Sequence, residues 1–106
     1  PHPFLNATLL LSTELTPLEL LDATQAIERE LGRRQKSDQA GYTDRPIDID
    51  LLFYEDLILE SPRLTLPHPL LHRRAFVLDP LLEIAPDLLH PILGKTIPEL
   101  RAELDA

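Results

Sequence analysis

Residues 45–54 read RPIDIDLLFY, and this stretch narrows the possible folds more than any other part of the chain. An apolar run rich in isoleucine and aromatics, entered through a proline, is a strand signal. Strand side chains alternate between faces, so Ile47, Ile49, Leu51 and Phe53 turn to a core while Asp48 and Asp50 share the other side. Residues two apart in a strand have Cα atoms about 6.5–7 Å apart. Two carboxylates that close repel each other unless a cation lies between them. Hard oxygen ligands with no histidine or cysteine alongside suit Mg²⁺, which takes one or two carboxylates and fills its octahedron with water and phosphate oxygens. The same alternation also describes the solvated face of an antiparallel sheet, and D-x-D alone is too short to separate the two readings.

The surrounding pattern supplies the fold class. Residues 4–13, FLNATLLLST, have strand length, with Phe4, Asn6, Thr8 and Leu10 on one face. Thr16, Pro17 and Glu19 then read as N-cap, first helical residue and capping box. Leu20, Thr24, Ile27 and Leu31 follow at helical spacing, with Gly32 as the expected stop. Residues 33–45 are polar, contain Gly41 and read as a long loop. After the 45–54 strand come a turn at Glu55-Asp56 and a short apolar piece, LIL. Pro62, Pro67 and Pro69 rule out regular helix, and residues 70–85 read as short helices broken by Pro80 and Pro86. Thr96, Pro98 and Glu99 repeat the capping signal before a C-terminal helix. Strand, helix, strand, then proline-rich loops and short helices make an α+β domain.

Charge narrows the function. The 106 residues carry a formal net charge of −8, which argues against nucleic acid, whose binding rests on neutralising phosphates. The cations nevertheless cluster: Arg29, Arg33, Arg34, Lys36, Arg45 and Arg63, then Arg73 and Arg74. An acidic chain with a basic middle suits a small anionic ligand. With no cysteine, disulfides and thiolate metal sites are excluded. No apolar run reaches the about 20 residues of a membrane span, and no signal peptide opens the chain, so the expected compartment is the cytoplasm. Arginines at 33, 45, 63 and 74 on segments flanking the D-x-D strand are suited to phosphate oxygens. Together with a carboxylate pair they are the components of phosphoryl transfer, and His68, fixed between Pro67 and Pro69, joins them.

GR at 32–33, RPIDIDLLFY at 45–54, RLTLPHP at 63–69 and RRAFVLDPLLEIAP at 73–86 closely resemble the 6-hydroxymethyl-7,8-dihydropterin pyrophosphokinase family. The resemblance runs from Phe4 nearly to the C-terminus. It implies transfer of pyrophosphate from ATP to a pterin alcohol in folate biosynthesis, on a ferredoxin-like antiparallel sheet with helices on one face. It further implies that Asp48 and Asp50 hold two Mg²⁺ ions and that Phe4 and Phe76 sandwich the pterin, with Asn6 hydrogen-bonding its edge. Gln25, Glu28, Arg63, His68 and Arg74 correspond to ATP contacts, and Arg45 and Arg33 to cations acting on the phosphates. A flat heterocycle wants two aromatic faces and a few fixed polar groups, which agrees with these assignments.

Two departures accompany the resemblance. The basic loop, RQKSDQAGYTD, has extra residues, which leaves open whether Arg34 or Lys36 supplies its second cation. The family's opening strand, helix and second strand have no counterpart, so residues 1–106 are expected to be a partial domain. The absent first strand would lie between the two present, leaving both with raw edges. The chain is therefore expected to be a fragment, or to need the N-terminal segment or a second chain to complete its sheet. Other readings are a sugar-nucleotide transferase, which needs a larger nucleotide-binding domain, and a non-catalytic ferredoxin-like ligand-binding or regulatory module or inactive fragment.

Overall fold

The structure, a computed structural model, describes residues 6–38 and 47–105, with side chains of 34–38 excluded. These residues fall into two units, one from the described residues between 14 and 51, the other from 6–13 and 52–105.

The first unit is built on α1, Pro17–Asp38. Its start is capped as the sequence predicts: the Glu19 amide donates to Thr16 Oγ1 at 3.2 Å, and the Thr16 amide donates to Glu19 Oε1 at 2.9 Å. Its end is not. The helix runs through Gly32 and Arg33 into the segment expected as loop. A glycine stops a helix by taking positive φ, and Gly32 does not: Gly94, just past a turn, is the described glycine with positive φ. In an interior turn Gly32 costs only about 1 kcal/mol relative to alanine.

The inner face of α1 also differs from expectation. Leu21 is buried, Gln25, Glu28 and Leu31 are half-buried, and Ile27, expected to face inward, is 49% exposed. A carboxylate thus occupies the inward position one helical turn from Gln25.

In the second unit, Tyr54–Leu57 turns where expected, with the Leu57 amide donating to the Tyr54 carbonyl at 3.0 Å. Two short strands follow, β1 (Leu59–Glu60) and β2 (Thr65–Leu66), paired antiparallel with Leu59 opposite Leu66 and Glu60 opposite Thr65. Ser61 closes their connection: its amide donates to the Leu64 carbonyl at 3.1 Å, and the Leu64 amide donates to Ser61 Oγ at 3.2 Å. Pro62 and Arg63 are left at the tip. A 3₁₀ turn at Leu71–Arg73 leads into α2, Ala75–Ile84. Pro80 does not break α2. It removes one bond, to the Phe76 carbonyl, and the helix continues to Ile84.

The second unit's core joins these elements to α3, Ile97–Leu104. Leu71, Leu78, Leu81, Ile97 and Leu100 are buried together, with Leu52, Phe53, Val77, Leu82, Leu88 and Leu104 against them. Leu78 and Leu81 are three apart on α2, and Ile97, Leu100 and Leu104 follow helical spacing on α3. Arg101 links the two helices outside the core, donating from Nε to Asp79 Oδ1 at 2.7 Å. Thr96 and Glu99 form the predicted capping box, and the Thr96 amide and hydroxyl hold the Glu99 carboxyl below its usual pKa.

The two long strands expected from the sequence are absent among the described residues. Described residues 6–13 and 47–53 adopt no strand, and Leu9, Leu10 and Leu11 are 89%, 79% and 64% exposed. A strand exists through the ladder it shares with a neighbour, and among the described residues neither segment has one. Mixed helix with a small antiparallel sheet is consistent with α+β.

One buried polar group makes stability depend on pH. His90, 4% exposed, accepts at Nδ1 from the Ile92 and Leu93 amides at 3.2 and 3.1 Å. Its ring meets Phe53 and His72 edge-on. Burial, then the neighbouring His72, lowers its pKa from 6.5. The unfolded chain therefore binds this proton more readily, so the contribution is complete above about pH 6.5 and is lost as pH falls through the folded value. Urea midpoints of the chain joined to a relative's strand-helix-strand portion are expected to fall between pH 7.5 and pH 5. His90→Ala should flatten that slope and cost about 1–3 kcal/mol at neutral pH, because two amides lose their acceptor.

Candidate active site

Asp48 and Asp50 lie in the first unit, both exposed, with Ile49 between them half-buried. The alternation read from RPIDID holds only across Asp48, Ile49 and Asp50; Ile47, expected to face a core, is 40% exposed. What fixes it is α1: the Ile49 amide donates to Glu28 Oε2 at 2.6 Å, across 21 residues of sequence. Gln25, one turn before Glu28, is half-buried on the same helix, and Arg33 is exposed. Among the described residues no group of three or more His, Asp or Glu side chains gathers as a metal cluster. Two exposed carboxylates remain a suitable donor set for Mg²⁺, which needs one or two from protein when phosphates supply the rest. Arg45 and Phe4 lie outside the described residues, and so do the Arg34 and Lys36 side chains.

The remaining site residues belong to the second unit. Arg63 is exposed at the hairpin tip, and Asn6 is exposed in its irregular segment. His68 is half-buried and held from two sides: its amide donates to the Leu52 carbonyl at 2.8 Å, and its Nδ1 accepts from the Leu70 amide at 3.2 Å. Nδ1 acting as acceptor places the neutral ring's proton on Nε2, leaving that atom as a donor. Arg74 precedes α2, and its guanidinium carbon stands 5.7 Å from the centre of the Phe76 ring. Phe76, on the first turn of α2, is 52% exposed, so it offers aromatic surface rather than core. A shallow depression lined by Ala26, Ile27, Glu30 and Leu31 contains none of the sequence-predicted residues.

Sequence reasoning passed over a second use of the His68 device. His-Pro occurs at 2–3, 68–69 and 90–91, and at the two described sites, 68–69 and 90–91, Nδ1 accepts the amide two residues on. Proline presets the backbone and brings no amide of its own, so the next amide is free to meet the imidazole. The repeated dipeptide was the available signal. His72, between the two pairs, has a buried Nδ1 with no hydrogen-bond partner among the described residues.

Comparison with known proteins agrees with the resemblance. The sequence model described as 7,8-dihydro-6-hydroxymethylpterin-pyrophosphokinase matches residues 1–86. A 2-amino-4-hydroxy-6-hydroxymethyldihydropteridine pyrophosphokinase of Porphyromonas gingivalis is 55% identical over 92 residues, 86% of this chain and 62% of that protein. Its counterpart in Synechocystis is 44% identical over 106 residues, 99% of this chain and 53% of that protein. Folic acid synthesis protein fol1 of Schizosaccharomyces pombe is 45% identical over 96 residues, 91% of this chain and 13% of that protein. The chain spans less than two thirds of each of these relatives. With most of its length matched by the family's sequence model, the chain belongs to the 7,8-dihydro-6-hydroxymethylpterin-pyrophosphokinase family.

Proposed function

We propose that this chain carries the metal- and phosphate-binding part of an enzyme that transfers pyrophosphate from ATP to 6-hydroxymethyl-7,8-dihydropterin in the cytoplasm, releasing AMP. The observation that carries the reading is the D-x-D segment with both carboxylates exposed and its central peptide tied to α1, in a member of this family. The fold we propose is ferredoxin-like, completed by a preceding strand-helix-strand or by a partner chain; membership of this family supports that.

In the reaction the pterin hydroxyl oxygen bonds to the β-phosphorus of ATP, the bridging bond to the α-phosphate breaks, AMP leaves, and the hydroxyl proton is released. Asp48 and Asp50 would hold two Mg²⁺ ions, which when bound neutralise and align the phosphate oxygens. Arg63 and Arg74 suit phosphate oxygens with their guanidinium forks, and the family resemblance adds Arg33 and Arg45 as further cations for the phosphates. Gln25 contributes a polar contact to the nucleotide. His68, whose Nδ1 accepts from the Leu70 amide, presents Nε2 as a donor. Phe76 supplies one face of the pterin pocket, Phe4 the other, and Asn6 donates and accepts at the ring edge.

The test is product analysis on the chain joined to the strand-helix-strand portion of a relative. AMP should form only when ATP and the pterin alcohol are both present, one AMP per pterin converted; ADP as the product would reject the reading. In the same protein, Asn6→Ala should weaken pterin binding by about 1–3 kcal/mol, the cost of an unmade buried hydrogen bond, and barely change ATP affinity. Equal losses for both ligands in calorimetry would make Asn6 structural.

A further inference from the structure

Glu28 sits where an amphipathic helix would place an apolar residue, while its neighbour Ile27 is half exposed to solvent. A carboxylate in that position needs a partner, and the partner is the amide of Ile49 at 2.6 Å. This amide belongs to the peptide unit joining Asp48 to Ile49, and Asp50 follows directly. Anchoring that peptide restrains the backbone at Ile49, from either side of which the two aspartates leave on a common face. No ladder neighbour performs that task among the described residues, so the helix does it through one side chain. Glu28 itself joins no metal-holding cluster with the aspartates among the described residues. We infer that Glu28 is a positioning residue: through the Ile49 amide it holds Asp48 and Asp50 in register to share divalent cations. The inference rests on the proposed metal role of the two aspartates, and for Glu28 it puts a supporting role behind them in place of the ATP contact that the resemblance implies. Supporting hydrogen bonds of this kind set ligand orientation, and their loss costs about 10–100-fold in metal affinity.

The test separates the bond from the charge. Glu28→Gln keeps a carbonyl oxygen that can accept from the Ile49 amide but removes the charge; Glu28→Ala removes both. The chain joined to a relative's strand-helix-strand portion is titrated with Mn²⁺, followed by its paramagnetic signal. An ATP analogue with a methylene between the α and β phosphates is present, so no turnover occurs. The Ile49 amide is followed by nitrogen-15 NMR and hydrogen exchange. Glu28→Ala should weaken Mn²⁺ binding by about 10–100-fold and expose the amide. Glu28→Gln should stay within about threefold of the parent and keep the amide protected.

Equal loss in Glu28→Gln and Glu28→Ala would overturn the inference, because the charge and not the backbone bond would then be needed. Full Mn²⁺ affinity in Glu28→Ala would overturn it while leaving the metal assignment intact. Mn²⁺ binding that Asp48→Asn and Asp50→Asn do not weaken would overturn the metal assignment and this inference with it. If Glu28→Ala fails to fold, Glu28→Gln decides: parent-like affinity with a protected amide supports positioning, and lost affinity rejects it.

Discussion

Asp48→Asn and Asp50→Asn are each expected to lower turnover by on the order of 10²–10³-fold while leaving the ligand-free protein folded. Asparagine keeps the shape of aspartate and removes the negative charge that a divalent cation requires. Phosphoryl transfer is accelerated mainly by neutralising and aligning phosphate oxygens, so losing a metal ligand removes much of the rate enhancement. Stability is another matter. Both side chains are exposed, and surface substitutions of this kind stay within about ±0.5 kcal/mol. Thermal unfolding without nucleotide should therefore be near that of the parent, whereas the upward shift caused by Mg²⁺-ATP should shrink with the lost affinity. A merely solvated segment with no metal role would give the opposite result, with turnover retained in both variants. Loss of folding in both would assign them to structure.

Leu78→Ala is the substitution expected to cost most in stability. Leu78 is fully buried where α2 meets Leu71, Leu81, Ile97 and Leu100, and truncation leaves a cavity among neighbours held by two helices. Such changes cost about 2–5 kcal/mol, a large part of the about 5–15 kcal/mol that holds a domain folded. Ile92→Ala, at a residue 58% exposed, is the control and should cost no more than about 0.5 kcal/mol. Urea unfolding of the two variants beside the parent, each joined to a relative's strand-helix-strand portion, measures the difference. Comparable midpoints would mean that the cluster around Leu78 is not the centre of the second unit.

Local signals were the most legible in the sequence. Both capping boxes, at Thr16 and Thr96, formed because their partners lie three residues apart and need no tertiary context. The Glu55-Asp56 turn followed for the same reason. Where an outcome depended on distant partners, pattern alone fell short. Gly32 is a stop only if the chain turns away there, and α1 continues; Pro80 removes a single bond from a helix whose inner face is anchored by Leu78 and Leu81. Residues 6–13 and 47–53 have strand composition, yet a strand is a shared object and no ladder lies beside them among the described residues.

The candidate site divides along the same line. Exposure of Asp48 and Asp50 could be read from alternation. That Glu28 would meet the Ile49 amide could not, because a glutamate on a helix carries no mark of a partner 21 residues away. Arg63, His68 and Arg74 could be selected by residue type, but the His68 tautomer needed the Leu70 amide in place.

Asp48 and Asp50 are proposed to support transfer of a pyrophosphoryl group. The most direct measurement follows ATP labelled with ³²P at the β-phosphate, in the chain joined to a relative's strand-helix-strand portion, with the pterin alcohol and with Mg²⁺ present or withheld. The label should move into the pterin product when Mg²⁺ is present, remain in ATP when it is withheld, and move far more slowly in Asp48→Asn and Asp50→Asn. Label recovered in ADP, or transfer that proceeds equally without Mg²⁺ or without the two carboxylates, would contradict the account.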